Sequence, residues 1–108
     1  MKSGEIILIP FPFAELTNKK VRPAVVITET TDKYKDLVVS AISSIVPSRI
    51  SNREILLRHN KLNNLRVDSV IKVDRIVTLK REDKIADLGK LSITELAEFK
   101  NILAEIVK

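Results

Sequence analysis

The 108-residue sequence predicts a small, mostly β protein: a five- or six-stranded, mostly antiparallel barrel with one C-terminal helix. Two observations support this class. Short β-branched runs, separated by prolines and polar turns, fill the first three quarters of the chain, and the apolar spacing then becomes helical after residue 92. The length fits one domain, residues 1–108. There is no cysteine, so the fold has no disulfide and depends on its apolar core.

The predicted strands follow the apolar runs and stop where a central strand would not tolerate the next residue. The first run, residues 5–9, is expected to end at Pro10, and the second is expected to begin with Pro23. The last strand is long enough to bend across two parts of a barrel. The complete set of predicted strands is 5–9, 23–28, 37–42, 54–57 and 69–79.

The C-terminal helix is predicted from its cap and its periodicity. Ser92 and Glu95 have the spacing of a capping box, in which two side chains satisfy the first backbone N–H groups. Gly89 is expected to turn the chain before this cap. The predicted apolar stripe of the helix consists of Leu96, Phe99, Leu103 and Ile106, widened by Ile102 and Val107.

The charge balance favours a polyanionic partner. The formal net charge is +5 and the sequence pI is about 9.6, which suits nucleic acid, although a well-solvated basic surface fits the charge equally well. One basic cluster is Lys19, Lys20 and Arg22, and a second lies within residues 49–66. No targeting signal or membrane-spanning segment is present in the sequence, so we expect a cytoplasmic protein with no membrane partner.

Elimination limits the chemistry that the chain can perform. His59 is the only histidine and is expected to be a surface residue, and no glycine-rich phosphate loop or metal-ligand pattern occurs. We therefore expect no metal and no cofactor. RNA carries its own nucleophile, the 2′-hydroxyl, and an arginine fork can bind and stabilise its phosphate. An enzyme acting on RNA would here use Arg, Lys, Ser and Thr side chains.

Four segments, in the same order over nearly the whole chain, resemble the MazF/PemK family of toxin ribonucleases, the mRNA interferases of type II toxin–antitoxin systems. Two of them carry the functional likeness: VRPAVV at residues 21–26 and SAISS at residues 40–44. The other two are SGEIILI at residues 3–9 and SVIKVDRIVTL at residues 69–79.

The resemblance implies an SH3-like barrel, a homodimer, and metal-independent cleavage of single-stranded mRNA at short sequences. It also implies 2′,3′-cyclic phosphate and 5′-hydroxyl ends, and neutralisation by an acidic antitoxin. Arg22 matches the catalytic arginine, and Ser43 matches the catalytic hydroxyl, which is usually a threonine. Further RNA-binding candidates are Lys19, Lys20, Ser44, Arg49 and Arg53.

The replacement of threonine by Ser43 keeps a second hypothesis open. The hydroxyl is retained, but the methyl group that fixes its rotamer is lost. The alternative is a non-catalytic RNA- or protein-binding module, either a degenerate relative or a gyrase-poison-like protein. A plain dimeric scaffold is a third possibility, which the positive charge disfavours.

Overall fold

The computed structural model describes residues 1–11 and 20–108. In this part of the chain, six strands form one antiparallel sheet that curls into a half-barrel; in order across the sheet they are β4 (Glu54–Leu57), β5 (Ser69–Leu79), β3 (Leu37–Ser43), β2 (Lys20–Glu29), β1 (Glu5–Phe11) and β6 (Ala86–Lys90). The sheet is followed by one helix, and the mostly β, antiparallel class is confirmed. None of the described helices is both long and apolar enough to cross a membrane. A 3-10 turn (Arg81–Asp83) precedes β6, and α1 (Ile93–Ile106) follows it.

Two prolines lie inside strands, where the sequence predicted strand ends. Pro10 pairs with Val21, and Pro23 pairs with Leu8. The reason is that each proline lies where its strand has a neighbour on one side only. Pairing of β1 with β6 ends at Leu8, and pairing of β2 with β3 begins at Ala24. A missing N–H at such a position costs no ladder hydrogen bond on the unpaired side.

Strand β5 bends as predicted from its length. Ser40 of β3 pairs with Ile76, whereas the next residue, Ala41, pairs with Lys72, so three residues of β5 lie between the two pairings. The first part of β5 lies between β3 and β4, and the second part pairs with β3 alone. This irregularity curls the sheet, as β-bulges do.

Alternation along the strands divides the buried side chains between the two faces of the sheet. Phe99 of α1 is fully buried in the cluster on one face, with Ile6, Val25, Ile42 and Ile71. The cluster on the other face is formed by Ile7, Ile9, Phe11, Ala24, Val26, Leu37, Val39 and Ala41.

The helix begins and packs as predicted, with one exception. The Oγ atom of Ser92 accepts from the N–H of Glu95 at 3.1 Å, and a carboxylate oxygen of Glu95 accepts from the N–H of Ser92 at 2.8 Å. Val107 was predicted to widen the buried stripe, but its side chain is 79% exposed because the helix ends at Ile106. The other predicted stripe residues pack on the core: Leu96, Phe99, Ile102, Leu103 and Ile106.

Gly89 lies within β6, paired with Ile6, and does not form the turn that the sequence predicted. A Cβ atom at Gly89 would lie 2.1 Å from the backbone oxygen of Leu62 and 2.9 Å from the carbonyl carbon of Asn63. The neighbouring N–H of Lys90 donates to the same Leu62 oxygen at 3.1 Å. Glycine therefore lets the loop between β4 and β5 approach the backbone of β6 closely.

We expect Gly89→Ala to lower the free energy of unfolding by about 2–3 kcal/mol, because the new methyl group displaces backbone atoms that cannot rotate away. Urea denaturation followed by circular dichroism measures this loss. Lys90→Ala, on the exposed neighbour in the same strand, is the control and is expected to stay within about 0.5 kcal/mol of the parent protein. Equal stability of the two variants would contradict the close approach.

Candidate active site

The pairing of β2 with β3 brings Arg22 and Ser43 together. Ala24 pairs with Ala41, and continuing this antiparallel register by two residues places Arg22 opposite Ser43. Because side chains two residues apart share a face, both lie on the sheet face that α1 does not cover. Both line one pocket of about 150 Å³. The two residues that the sequence predicted as catalytic therefore share a cavity.

Arg22 lies inside β2, although the sequence predicted that this strand begins one residue later, at Pro23. It pairs with Ile9 of β1, is half-buried, and is followed by Pro23. Its Nε atom is inaccessible to solvent. The restricted φ of the following proline and the strand pairing leave the backbone little freedom. The guanidinium is thus presented from a rigid element, which favours a fixed geometry for bound phosphate.

Ser43 closes β3 and is almost buried, with 8% of its surface exposed. Its Oγ atom accepts a hydrogen bond from the N–H of Ile45 at 3.1 Å. Because the hydroxyl oxygen is the acceptor in this bond, the hydroxyl proton does not take part in it. The bond also restricts the serine rotamer, the task that the methyl group of a threonine would otherwise perform.

Two further cations from β5 line the same pocket, Lys72 and Arg75. None of the described residues that line it is acidic. Neither side chain is predicted from the sequence, because their positions follow from strand pairing. Lys72 lies two residues from Val70, which pairs with Ser43, so the signal is visible only when the β3–β5 register is known.

Arg22 also lines a second, larger pocket of about 530 Å³. This volume lies in the range of cavities that bind small organic molecules. Two of the predicted RNA-binding residues, Lys20 and Ser44, line it together with Arg66. Its described lining contains three basic residues and no acidic residue. The remaining lining residues are Leu8, Val21, Pro23, Ile42, Asn64, Leu65, Val67, Ser69 and Leu88.

Two other predicted RNA-binding residues, Arg49 and Arg53, line neither of the pockets that contain Arg22. Arg53 lines a pocket of about 510 Å³ beside α1, together with Glu54, Glu98 and Glu105. Its Nη1 atom is 3.8 Å from a carboxylate oxygen of Asp74. Arg49 is exposed and lines none of the three pockets described above. Lys19 is outside the described residues.

His59 is an exposed residue, as the sequence predicted. Its Nδ1 atom is 2.6 Å from a carboxylate oxygen of Asp68, which also accepts from the His59 backbone N–H at 3.0 Å. The backbone hydrogen bond and then the ring hydrogen bond hold the pKa of Asp68 below its ordinary value. Neither residue lines the pockets that contain Arg22.

A cross-strand ion pair adjoins the smaller pocket. The Nζ atom of Lys72 lies 2.9 Å from a carboxylate oxygen of Glu54, its pairing partner in β4. The other oxygen of Glu54 accepts from the N–H of Ser51 at 2.9 Å. The backbone N–H of Ser51, and next the Lys72 ammonium, lower the pKa of Glu54. Glu54 is therefore a carboxylate at neutral pH.

Among residues 1–11 and 20–108, the structure places no group of three or more His, Cys, Asp and Glu side chains where they would hold a metal ion.

Comparisons with known proteins identify the family. A search of curated proteins finds no significant match. Among solved structures, the fold resembles that of the Mycobacterium tuberculosis toxin MazF-mt6, with 17% identity and a TM-score of 0.68 over 94% of this chain and 93% of that chain. It also resembles an endoribonuclease in complex with its cognate antitoxin from mycobacterial species, with 12% identity and a TM-score of 0.72 over 97% of this chain and 92% of that chain.

At these identities the two likenesses establish the fold alone. The family model for the PemK-like, MazF-like toxin of type II toxin–antitoxin systems matches residues 2–107, which is nearly the whole chain. The chain therefore belongs to the PemK-like, MazF-like toxin family.

Proposed function

We propose that this chain is a toxin endoribonuclease that cleaves single-stranded mRNA at short sequences in the cytoplasm, without a metal or other cofactor. The observation that carries the proposal is the shared pocket of Arg22 and Ser43, whose described lining is basic and contains no carboxylate. Such a pocket attracts a phosphate group and offers donors to its oxygens. Family membership and the name of one structural neighbour, an endoribonuclease, support the same activity.

The proposed reaction needs no external nucleophile. The 2′-oxygen of the RNA forms a bond to the adjacent phosphorus, and the bond from phosphorus to the 5′-oxygen breaks. The proton lost by the 2′-hydroxyl is balanced by the proton gained at the 5′-oxygen, so the products are a 2′,3′-cyclic phosphate and a free 5′-hydroxyl. Arg22 stabilises the charge that develops on the phosphate oxygens, and Ser43 donates a hydrogen bond to one of them. Because a guanidinium stays protonated, Arg22 acts through its charge rather than as a base.

The larger pocket provides a place for the nucleoside next to the cleaved phosphate. It is lined by Arg22, the proposed phosphate-binding residue, and by Lys20, Ser44 and Arg66. Base and sugar need more room than a phosphate group, and the apolar part of this lining suits the face of a base. We propose that the side chains of this pocket contribute to the choice of cleavage sequence.

The proposal includes two protein partners, an acidic antitoxin and a second copy of the chain. The basic lining of both pockets is complementary to an acidic segment, and one structural neighbour is described in complex with its cognate antitoxin. Exposed apolar side chains close in sequence to Arg22 and Ser43 support a homodimer, since exposed apolar surface is common at interfaces. These side chains are Val21, Ile45 and Val46.

We expect the purified protein to cut a long single-stranded RNA in the presence of EDTA, giving discrete fragments that end in a cyclic phosphate. Arg22→Ala should abolish cleavage. Arg22→Lys should reduce kcat by about 10²–10³-fold, because one charge remains but the bidentate fork is lost. Arg81→Ala is the control, since Arg81 is a half-exposed arginine that lines none of the three pockets.

Intact RNA in the presence of well-folded protein would contradict the proposal, provided that several unrelated RNAs resist cleavage. Retention of RNA binding without cleavage would then favour the non-catalytic binding module. Cleavage that survives Arg22→Ala would contradict the role of this residue while leaving the activity in place.

Ser43→Ala should lower kcat by about 10²-fold through loss of one donor to the reacting phosphate. Ser43→Thr should retain activity within about tenfold, because the hydroxyl stays and the added methyl group restricts its rotamer. The control is Ser40→Ala: Ser40 lies on the opposite face of β3, and its hydroxyl donates to the Val73 carbonyl at 2.8 Å. That variant should lose stability without a matching loss of kcat. Equal kcat for Ser43→Ala and the parent protein would remove Ser43 from the mechanism.

A further inference from the structure

The Lys72–Glu54 ion pair lies on the same sheet face as Arg22 and Ser43. In the register of the sheet, Lys72 pairs with Ala41 on one side and with Glu54 on the other. Ala41 is two residues from Ser43, so Lys72 lies one step along the sheet from the serine. Its side chain lines the pocket of about 150 Å³ that Arg22 and Ser43 share.

We infer that Lys72, oriented by Glu54, adds its positive charge to that of Arg22 in a phosphate-binding pocket that it forms with Arg22 and Ser43, and that Arg75 also lines. The inference deepens the proposed function and rests on it for the nature of the bound anion, a phosphate group of RNA. Lys72 is thereby a phosphate-contacting residue, and Glu54 is a positioning residue that acts through Lys72.

The size of the pocket fits this assignment. A cavity of about 150 Å³ has room for one phosphoryl group, whereas a base with its ribose needs the larger pocket beside it. Arg22 is the described residue that is both basic and common to the two cavities, so it marks the position where phosphate and nucleoside join. Lys72 lines only the smaller cavity, which places its charge on the phosphate rather than on the base.

The contacts of Glu54 explain how a flexible lysine is held at such a place. The Glu54 side chain is only 12% exposed, and its two oxygens are fixed by the Ser51 N–H and by Lys72, each at 2.9 Å. The lysine ammonium has three N–H donors, and this contact uses one of them. Glu54 does not line the smaller pocket, whereas Lys72 does.

The change in charge during the reaction gives the chemical reason for a cation in addition to Arg22. As the 2′-oxygen bonds to phosphorus, negative charge on the phosphate oxygens increases, and one guanidinium carries one positive charge. A positive charge that is already in place when the reaction starts costs no reorganisation at that moment. The Lys72–Glu54 contact could also be an ordinary surface ion pair with no role in binding. Such pairs contribute only about 0–1 kcal/mol to stability, so the contact by itself does not indicate a function. The location in the Arg22 pocket distinguishes the two explanations.

The first experiment titrates the full chain with inorganic phosphate and follows backbone amide shifts by NMR at constant ionic strength. We expect shifts at residues around Arg22 and Ser43. Lys72→Met should weaken phosphate binding about tenfold or more, because one charged hydrogen bond is lost and the alkyl stem is kept. Lys72→Arg should restore binding to within about threefold, since the positive charge returns.

Lys84→Met is the matched control for the loss of an ion pair. The Nζ atom of Lys84 lies 3.0 Å from a carboxylate oxygen of Asp87, and its side chain is 27% exposed, against 32% for Lys72. Lys84 lines none of the three pockets. Phosphate binding should therefore be unchanged in this variant. Equal losses in Lys84→Met and Lys72→Met would overturn the inference, because the effect would then be one of overall charge.

Glu54→Gln tests the positioning role, because it keeps an acceptor for Ser51 and removes the charge that holds Lys72. We expect phosphate binding to weaken about threefold to tenfold, since the ammonium must then be ordered at the moment of binding. If Glu54 acts only by neutralising Lys72, the same change would strengthen phosphate binding, and this result would overturn the positioning role. The melting temperatures of Glu54→Gln and Lys72→Met show whether weaker phosphate binding results from loss of the fold.

RNA cleavage gives the independent second readout. Lys72→Met should lower kcat more than it raises KM, because the charge of Lys72 acts mainly on the developing transition state. A parent protein that binds phosphate in a Lys72-dependent way but leaves all RNA intact would contradict the proposed function and uphold the anion site. A parent protein that cleaves RNA, with Lys72→Met equal to it in both assays, would overturn the inference and leave the proposed function standing.

Discussion

Arg22 and Ser43 are on neighbouring strands, and the antiparallel register between β2 and β3 is the constraint on which the site depends. A slip by one residue would send every side chain of one strand to the opposite face and would separate the two functional groups. Burial on both faces resists such a slip. Val25 is buried on the face that contacts α1, and its neighbours Ala24 and Val26 are buried on the other. The two apolar clusters thus fix the relative placement of Arg22 and Ser43 as well as the fold.

Among the described residues, acidic side chains line one of the three pockets and not the other two. The described linings of the two pockets that share Arg22 contain basic residues and no carboxylate. In contrast, the pocket lined by Arg53 is also lined by Glu98 and Glu105 of α1. Holding several cations together costs free energy in the unbound protein, because like charges repel. Glu54 offsets part of this cost from outside the smaller cavity. Under the proposed function, a bound RNA phosphate would offset the remaining repulsion.

Local sequence signals predicted some elements fully and others only in part. The bounds of β4, β5 and the start of α1 agree with the sequence, because β-branched runs and a capping box are local features. Strand β6 was not among the predicted segments, since Ala86–Lys90 is short and contains charged residues and a glycine. The placement of Pro10 and Pro23 depends on where neighbouring strands stop pairing, which is a tertiary property.

The candidate site shows the same division. Arg22 and Ser43 were found through a family resemblance carried by short motifs, but Lys72 and Arg75 were missed although they stand in one of those motifs. Their relevance depends on the face and the register of β5. Arg53 is the opposite case: it was predicted to bind RNA, but it does not line the pockets that contain Arg22. As a basic residue it resembled Lys20 in the sequence, but the structure places it beside the glutamates near α1.

The position of β5 in the sheet has a consequence for synthesis of the chain on the ribosome. Strands β2 and β3 are synthesised early. Strand β5, which carries Lys72 and lies between β3 and β4 in the sheet, is synthesised later. Strand β1 obtains its second neighbour later still, from residues 86–90. Translation proceeds at about 5–20 residues per second, and pairings between distant parts of a chain form slowly. A nascent chain that carries Arg22 and Ser43 therefore still lacks the strand that borders their pocket. The pocket that Arg22 and Ser43 share is therefore completed only after the part of β5 that carries Lys72 and Arg75 has been synthesised.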